Sequence, residues 1–451
     1  MSPDTICAPA SGPLAAPIAV IRVSGPGAHG AVAAVFSRPD ALLPRRAVFG
    51  SILDGETLVD DVVMVCYAAP ASFTGEDSAE IFCHGNHLIV RRILSLLHAR
   101  GVRLAEPGEF SRRAFENGKI DLTAAEAINH IITARSDWEI EAALAQAHGS
   151  LRDAVRRLRE DLVAYRADIE CAIDFAEEEV PQLSREESLE RITSIAAGID
   201  AIRRRCATGE RLARGIDAPL IGRPNVGKSS ILNCVINAER ALVSHIPGTT
   251  RDLIRETVQF AGVPVNLIDT AGIGAPGCEL ERMGIELSQR KIREAGIVIM
   301  VLDAVDGLTD DDRTILDMVA DRPTVYLANK ADLAATDDIA AIGRSLGRPV
   351  IPFSAVRATG LDALEAAIGR LVRDSIVEPE RGFLADHRIM ALLDEAIGTA
   401  QAVRTLVAEG RPPEIVAFEL QTLADTLGAV TGEITPEDVL TSVFSRFCIG
   451  K

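Results

Sequence analysis

The residues with the strongest chemical implication are Gly222-Arg223-Pro224-Asn225-Val226-Gly227-Lys228-Ser229, which fit G-x-x-x-x-G-K-[ST] and run into Ser230. A loop of this composition wraps its backbone N–H groups around phosphates, because its glycines turn tightly and bring no Cβ against the ligand. Lys228 supplies a mobile cation for the β- and γ-phosphates, and Ser229 a hydroxyl for Mg²⁺. Downstream, Asp269-Thr270-Ala271-Gly272 offers a carboxylate that can hold the metal through water and, at Gly272, an N–H that can sense the γ-phosphate. In Asn329-Lys330-Ala331-Asp332, the Asp332 carboxylate can accept from both the N1–H and the N2 amine of guanine, donors that adenine lacks. Ser354-Ala355 suits a loop that closes over the base. The predicted ligand is therefore GTP, with magnesium, rather than ATP.

These residues need elements to hold them. Leu220-Ile221 before the first motif and Ile231-Leu232 after it predict strand–loop–helix; Val265–Ile268, Val325–Leu327 and Val350–Phe353 predict strands leading into the other three. Pro219 fits a central strand poorly, since proline cannot donate to a ladder. Ile297-Val298-Ile299-Met300-Val301-Leu302 reads as a strand buried on both faces, as a parallel sheet requires. From about residue 213 to 372 strands alternate with helices, in the order and spacing of the small GTPases. A guanine-nucleotide switch is expected there.

At 451 residues the chain is too long for one typical core, so two or three domains are expected. No apolar run approaches the ~18 residues of a membrane span, and Met1 to Gly12 has no basic leader, so neither membrane nor secretory routing is expected. Eight cysteines form no C-x-x-C pair and suggest the reduced thiols of a cytoplasmic protein. His84 and His87 have H-x-x-H spacing but no second ligand pair, and a glycine-containing turn is the expected structure.

Residues 1 to 117 read as α+β, with strands at Ile18–Val23, Asp61–Tyr67 and Glu80–Cys83 and a helix at Leu88–Ala99. They contain no nucleophile with its base, which indicates binding rather than catalysis. From Leu122 amphipathic helices take over. Ser136-Asp137-Trp138-Glu139 is a capping box ahead of one apolar series from Ile140 to Ile169, and Ser184 to Glu187 opens a second helix bearing Ile192, Ile195, Ile199 and Ile202. Helices return after residue 372, where Thr435-Pro436 reads as a cap with proline at the first helical position. One bundle interrupted by an inserted nucleotide domain is the favoured arrangement, because the ends of an insertion lie together.

The net charge of −18 excludes binding of nucleic acid by overall attraction. An RNA contact would need a local patch, such as Arg156-Arg157-Leu158-Arg159 or Arg203-Arg204-Arg205, or another subunit; a solvated helix face is the plainer reading of both clusters.

Four further passages are distinctive: Ser72 to Glu80 with His84-Gly85, Pro107 to Leu122 running into Ala125-Glu126-Ala127, Gly248-Thr249-Thr250-Arg251-Asp252, and the terminal Phe447-Cys448-Ile449-Gly450-Lys451. With them the chain resembles, over essentially its full length, the MnmE (TrmE) family of tRNA-modification GTPases. The resemblance implies an N-terminal α+β folate-binding and dimerisation domain (1–117), a discontinuous α-helical domain (118–212 and 373–451) and an inserted Ras-like α/β P-loop GTPase domain (213–372). It also implies a homodimer that joins an FAD-containing MnmG (GidA) subunit in a heterotetramer or larger complex acting on tRNA. The implied reaction couples K⁺-dependent hydrolysis of GTP to GDP and phosphate with addition of a (carboxymethyl)aminomethyl group at C5 of the wobble uridine, U34. A reduced folate, 5,10-methylene- or 5-formyl-tetrahydrofolate, is the implied cofactor.

Residue by residue, the resemblance assigns Arg22, Glu80, Lys119 and Lys451 to folate. It assigns Asn225, Ser244, Ile246 and Thr249 to K⁺, and Ser229 and Thr250 to Mg²⁺. Ser244-His245-Ile246-Pro247-Gly248-Thr249-Thr250 would border the nucleotide. Ile273 stands where many GTPases carry a water-orienting glutamine, and Glu281 matches the family's catalytic glutamate. Cys448 is implied in the modification chemistry. The chain departs from the family at Cys7–Pro17, which lacks a glycine-rich approach, at His84-Gly85-Asn86 in place of His-Gly-Gly, and at Gly274–Cys278. The alternative, an Era-like RNA-binding or ribosome-assembly switch, shares the nucleotide motifs but needs neither the N-terminal domain nor the Cys-Ile-Gly-Lys tail.

Overall fold

The computed structural model describes residues 4–12, 15–174, 183–242, 255–269, 292, 295–375, 382–447 and 450. The chain forms two compact units, Met1–Asn129 with Gln146–Ala196 and Leu392–Lys451, and His130–Ala145 with Ala197–Ala391.

The first unit holds a six-stranded sheet built from β1 (Ile6–Pro9), β2 (Ala16–Ser24), β3 (Ala47–Asp54), β4 (Thr57–Tyr67), β5 (Ser78–Gly85) and β6 (Arg103–Leu104) in the order β3-β4-β5-β2-β1-β6. Pairing is antiparallel except between β1 and β6. Period-two alternation sends Val62, Met64 and Cys66 of β4 inward, where Val32, Ile93 and Leu97 from two helices complete the core. The second of those helices, His87–His98, starts at Asn86, whose side chain accepts from Leu88 N–H at 2.9 Å. Asparagine thus serves as the N-cap of this helix. Beyond the sheet, the Ser150–Asp174 helix packs with Pro413–Thr431, and Arg159 pairs with Glu433. The Glu437–Phe444 helix packs Leu440, Val443 and Phe444 against Phe115, Leu122 and Ala125.

Two sequence expectations need correction here. The apolar series from Ile140 to Ile169 is not one helix: it breaks into Asp137–Ala147 and Ser150–Asp174 around Gly149, whose φ of 94° no helix accommodates. Ile140 and Leu144 are exposed, while Ala142 and Ala143 are buried. Pro436 lies at the N-cap of its helix rather than at the first helical residue, and it makes no side-chain cap bond.

The second unit carries the sheet β12-β11-β10-β7-β9-β8, where β7 is Ile216–Ile221, β8 Arg255–Phe260, β9 Val263–Asp269, β10 Val298–Asp303, β11 Thr324–Asn329 and β12 Val350–Pro352. All pairs are parallel except β8 with β9. Pro219 does sit inside β7; it stands opposite Ile268 in β9, and the pairing with β10 begins only at Leu220, past the missing N–H. All six residues of β10 are buried, as its apolar run predicts. Residues 130–145 belong to this unit although they precede its sheet by some seventy positions: Trp138 N–H donates to Gly262 O at 3.0 Å, and the indole packs on the sheet's core. No described helix is long and apolar enough to cross a membrane.

Candidate functional site

The phosphate loop leaves β7 at Gly222 and ends in the Lys228–Leu242 helix, whose N-terminus faces an anion favourably. Two glycines are sterically required. Gly222 has φ 151°, and a Cβ there would lie 2.3 Å from Val301 O; Gly227 has φ 97°, and a Cβ would lie 2.3 Å from Asn329 Nδ2. Asn225 takes a left-handed φ of 61°, which asparagine tolerates better than most residues. Lys228 is buried, and its ammonium donates to Gly222 O at 3.0 Å and Arg223 O at 2.8 Å. Burial lowers its pKa, while the Asp269 carboxylate works in the opposite direction. Ser229 Oγ donates to Asp269 Oδ2 at 2.6 Å, so the hydroxyl and carboxylate expected around magnesium converge.

At the base end, Asn329 donates to Val226 O at 2.9 Å and accepts from Ala355 N–H at 3.3 Å, joining the base motif to the phosphate loop and to the closing loop. Ser354 Oγ donates to Asp332 Oδ1 at 2.6 Å, and that bond holds the Asp332 carboxyl below the ordinary carboxylate range. Lys330 pairs with Asp303 Oδ2 at 2.6 Å. Burial raises the Asp303 pKa, but the Lys330 contact and the Val305 and Asp306 N–H groups bring it below normal. The structure therefore gathers Asn225, Val226, Gly227, Lys228, Ser229, Ser230, Asp269, Asn329, Lys330, Asp332, Ser354 and Ala355 at the C-terminal ends of β7, β9, β10 and β11 and the loop after β12. Parallel α/β sheets bind ligands at that edge. Ser244, His245, Ile246, Pro247, Gly248, Thr249, Thr250, Thr270, Ala271, Gly272, Ile273 and Glu281 lie outside the described residues.

In the first unit, Arg22, Glu80 and Lys119 line one cleft of about 350 Å³, together with Arg45, Tyr67 and Phe73. Register explains the pairing, since Arg22 of β2 stands opposite Glu80 of β5. The guanidinium reaches Glu80 Oε1 at 3.0 Å and lies 5.3 Å from the Phe73 ring centroid. Tyr67 donates to Glu80 Oε2 at 3.4 Å; burial and then the Glu80 charge raise the phenol pKa. Lys119 donates to Pro70 O at 2.9 Å. Gly450 is buried against β1: a Cβ on it would lie 2.1 Å from Pro9 O, next to Ala8, the register partner of Arg22. Cys448 and Lys451 lie outside the described residues.

Sequence reasoning missed Arg45, Tyr67, Asp303 and Asp312. Asp303 had a usable signal, a carboxylate ending an all-apolar strand; Tyr67 and Arg45 had none, because only the sheet brings them to the cleft. The basic clusters are locally compensated: Arg156 faces Asp153 and Glu160, Arg204 pairs with Asp200, and Arg205 stacks 3.7 Å from the Phe383 ring centroid. The H-x-x-H spacing falls not on a turn but on the end of β5, where His84 Nδ1 lies 2.7 Å from Asp60 Oδ1, and on the first residue of the next helix, His87.

Comparison with known proteins agrees with both halves. The family model "GTP-binding protein TrmE N-terminus" matches residues 5–119, and "MnmE helical domain" matches 122–448. A "tRNA modification GTPase MnmE" of Aquifex aeolicus is 40% identical over 437 residues, spanning 96% of this chain and 96% of its own length. The protein of that name from Thermotoga maritima is 36% identical over 451 residues, 99% of this chain and all of its own. A solved structure of Aquifex aeolicus Era with GDP and AlF4⁻ covers 41% of this chain and 66% of its own at 22% identity and a TM-score of 0.30, too low to bear on the assignment. With the nucleotide motifs assembled at one sheet edge, and with relatives matching from end to end, the chain belongs to the MnmE family of tRNA-modification GTPases.

Proposed function

We propose that this protein is a K⁺-dependent GTPase that hydrolyses GTP to GDP and phosphate. With an FAD-containing subunit of the MnmG (GidA) kind, it drives addition of a (carboxymethyl)aminomethyl group at C5 of the wobble uridine of certain tRNAs, in the cytoplasm. The observation that carries the reading is one chain with two sites of different chemistry: a phosphate loop joined to a guanine-reading aspartate, and a separate cleft rimmed by Arg22, Glu80 and Lys119. The proposed domains are 1–117 for folate binding and dimerisation, 118–212 with 373–451 for the helical part, and 213–372 for GTP.

Ser229 and Thr250 would be the hard-oxygen ligands of Mg²⁺, with Asp269, whose carboxylate accepts from the Ser229 hydroxyl, holding the ion through water. Bound there, the ion neutralises charge developing on the β- and γ-oxygens. Asn225 would offer its amide oxygen to K⁺, with Ser244, Ile246 and Thr249 as the further residues that would hold the ion. Glu281 orients the attacking water, a task beyond the hydrocarbon of Ile273. In the cleft, Arg22, Lys119 and the terminal Lys451 complement a folate's carboxylates, and Glu80 accepts from pterin N–H groups. A bound folate supplies a one-carbon unit. The outer face of the sheet supports a homodimer: Phe49, Val63, Phe82 and Val20 form one cross-strand row, in which Phe49 is 63% and Val63 36% exposed. The net charge of −18 and the compensated arginines support tRNA contact made largely by the partner subunit.

Two measurements test the proposal. GTP turnover should be much faster in K⁺ than in Na⁺, Asn225→Ala should abolish the difference, and Glu281→Ala should block hydrolysis while GTP still binds. Equal rates in the two salts at saturating GTP would reject the cation mechanism. Wobble uridines in total tRNA from a deletion strain should lack the modification; a normal nucleoside profile would reject the tRNA role.

A further inference from the structure

The segment from Asp303 to Asp312 has a buried aspartate at each end, and the two hold opposite ends of the nucleotide site. Asp303 is 3% exposed; its Oδ2 accepts from Lys330 of the base motif at 2.6 Å, and its Oδ1 accepts from Val305 N–H at 2.9 Å. Asp312 is fully buried and accepts from Arg223 Nε, within the phosphate loop, at 3.0 Å. Its Oδ2 also accepts Thr309 N–H at 3.1 Å and Thr309 Oγ at 2.8 Å, closing a capping box on the Asp310–Met318 helix. Asp306, between them, stands 3.5 Å from the same guanidinium. The chain between the two carboxylates is thus short, internally bonded and tied at both ends.

We propose that Asp303–Asp312 is a positioning strap, which sets the distance between Lys330 of the base motif and the phosphate loop through the Lys330–Asp303 and Arg223–Asp312 pairs. It rests on the nucleotide reading above and adds positioning residues to it, each aspartate acting through Lys330 or Arg223. The backbone of Arg223 is the link to phosphate binding, since its carbonyl receives the Lys228 ammonium at 2.8 Å. A loop released from Asp312 would sample conformations in which Lys228 and the loop N–H groups no longer converge. Ground state and transition state would lose equally, so the effect falls on binding and not on turnover.

The test uses the full-length protein, with GDP titration, GTP kinetics and thermal melting. Asp312→Asn and Arg223→Gln should each raise the GDP Kd and the GTP KM about tenfold, the loss of one charge-assisted buried bond, with kcat within about twofold. Ile315→Val removes a methyl group from a buried residue of the same helix. It should lower Tm and leave Kd unchanged. Arg223→Gln acts from the more accessible side of the pair and decides the outcome should Asp312→Asn fail to fold. Asp303→Asn should also weaken GDP binding, and its combination with Arg223→Gln should lose less than the product of the single losses, because a strap cut at one end no longer sets the distance. Unchanged Kd in the Arg223 variant, an equal Kd rise in Ile315→Val, or strictly multiplicative losses would each overturn the strap. A wild-type protein that bound no GDP would instead overturn the nucleotide reading.

Discussion

On the proposed function, Asp332 selects the base, and changing one of its oxygens tests that role. Its carboxylate receives the Ser354 hydroxyl, which keeps it ionised and acceptor-only. Asp332→Asn substitutes an amide with a single acceptor oxygen and two donors. GTP affinity should fall roughly ten- to a hundredfold, the cost of a hydrogen bond to a charged group, and affinity for xanthosine triphosphate should rise. Unchanged GTP binding in a direct titration would reject the role. Gly227 makes a second case at this scale. Its φ is 97°, and Asn329 Nδ2 lies 2.3 Å from the point a Cβ would occupy, which leaves no room for a methyl group. Gly227→Ala should push Asn329 off Val226 O and weaken GDP binding by at least ~10-fold, since two ligand-facing loops then lose their common bond. A Kd within twofold of wild type, from the same titration, would show that the loop can give way.

Among the elements, the helix ends around His130 predict a pH response. His130 and Thr133 end one helix, Arg135 and Glu139 begin the next, and together with Ala213 and Leu384 they surround a cavity of about 270 Å³. Burial lowers the His130 pKa and outweighs the opposing charge of Asp386. The unfolded chain therefore takes up a proton first, near the ordinary histidine value of about 6.5, and stability must fall as pH drops through that value toward the lower folded pKa. Urea midpoints should decline between pH 7.5 and 5.5 in the wild type and decline less in His130→Gln. Parallel declines would assign the effect to other groups. The neighbouring capping box is also tertiary in part: Ser136 Oγ accepts from Glu139 N–H at 3.2 Å, but the Glu139 carboxylate reaches back to Arg135 N–H, one residue before the cap.

Over the whole molecule, the C-terminal tail is tied to the N-terminal sheet. The Glu437–Phe444 helix packs on Phe115 and Leu122, and Gly450 then fits against Pro9 beside the strand that carries Arg22. Cys448 lies outside the described residues, and on the proposed function it acts in the modification rather than in GTP hydrolysis. Cys448→Ser should keep GTP turnover within about twofold and abolish wobble-uridine modification in a complementation strain. Gly450→Ala, whose methyl group has no space at the Pro9 carbonyl, should impair modification in the same way. Normal modified nucleosides in the Cys448 variant would sink the idea.

What is local was legible from the order of amino acids. Phosphate loop, base motif and the Ser184–Glu187 capping box are encoded by residue type at fixed spacing, because each acts on backbone groups a few positions away. Continuous apolar runs such as Val298–Leu302 likewise declared their own burial. Strand β3 escaped notice because Gly50 and Ser51 dilute its alternation, and only pairing with β4 makes it a strand. The break at Gly149 escaped because apolar spacing carries on through it, although φ does not. Contacts between distant residues arise only in the folded chain: Arg223 with Asp312, Lys330 with Asp303, Arg22 with Glu80, Gly450 with Pro9. No spacing rule announces such pairs, since each forms only when the sheet has set register and burial has made an unpaired charge too costly to leave.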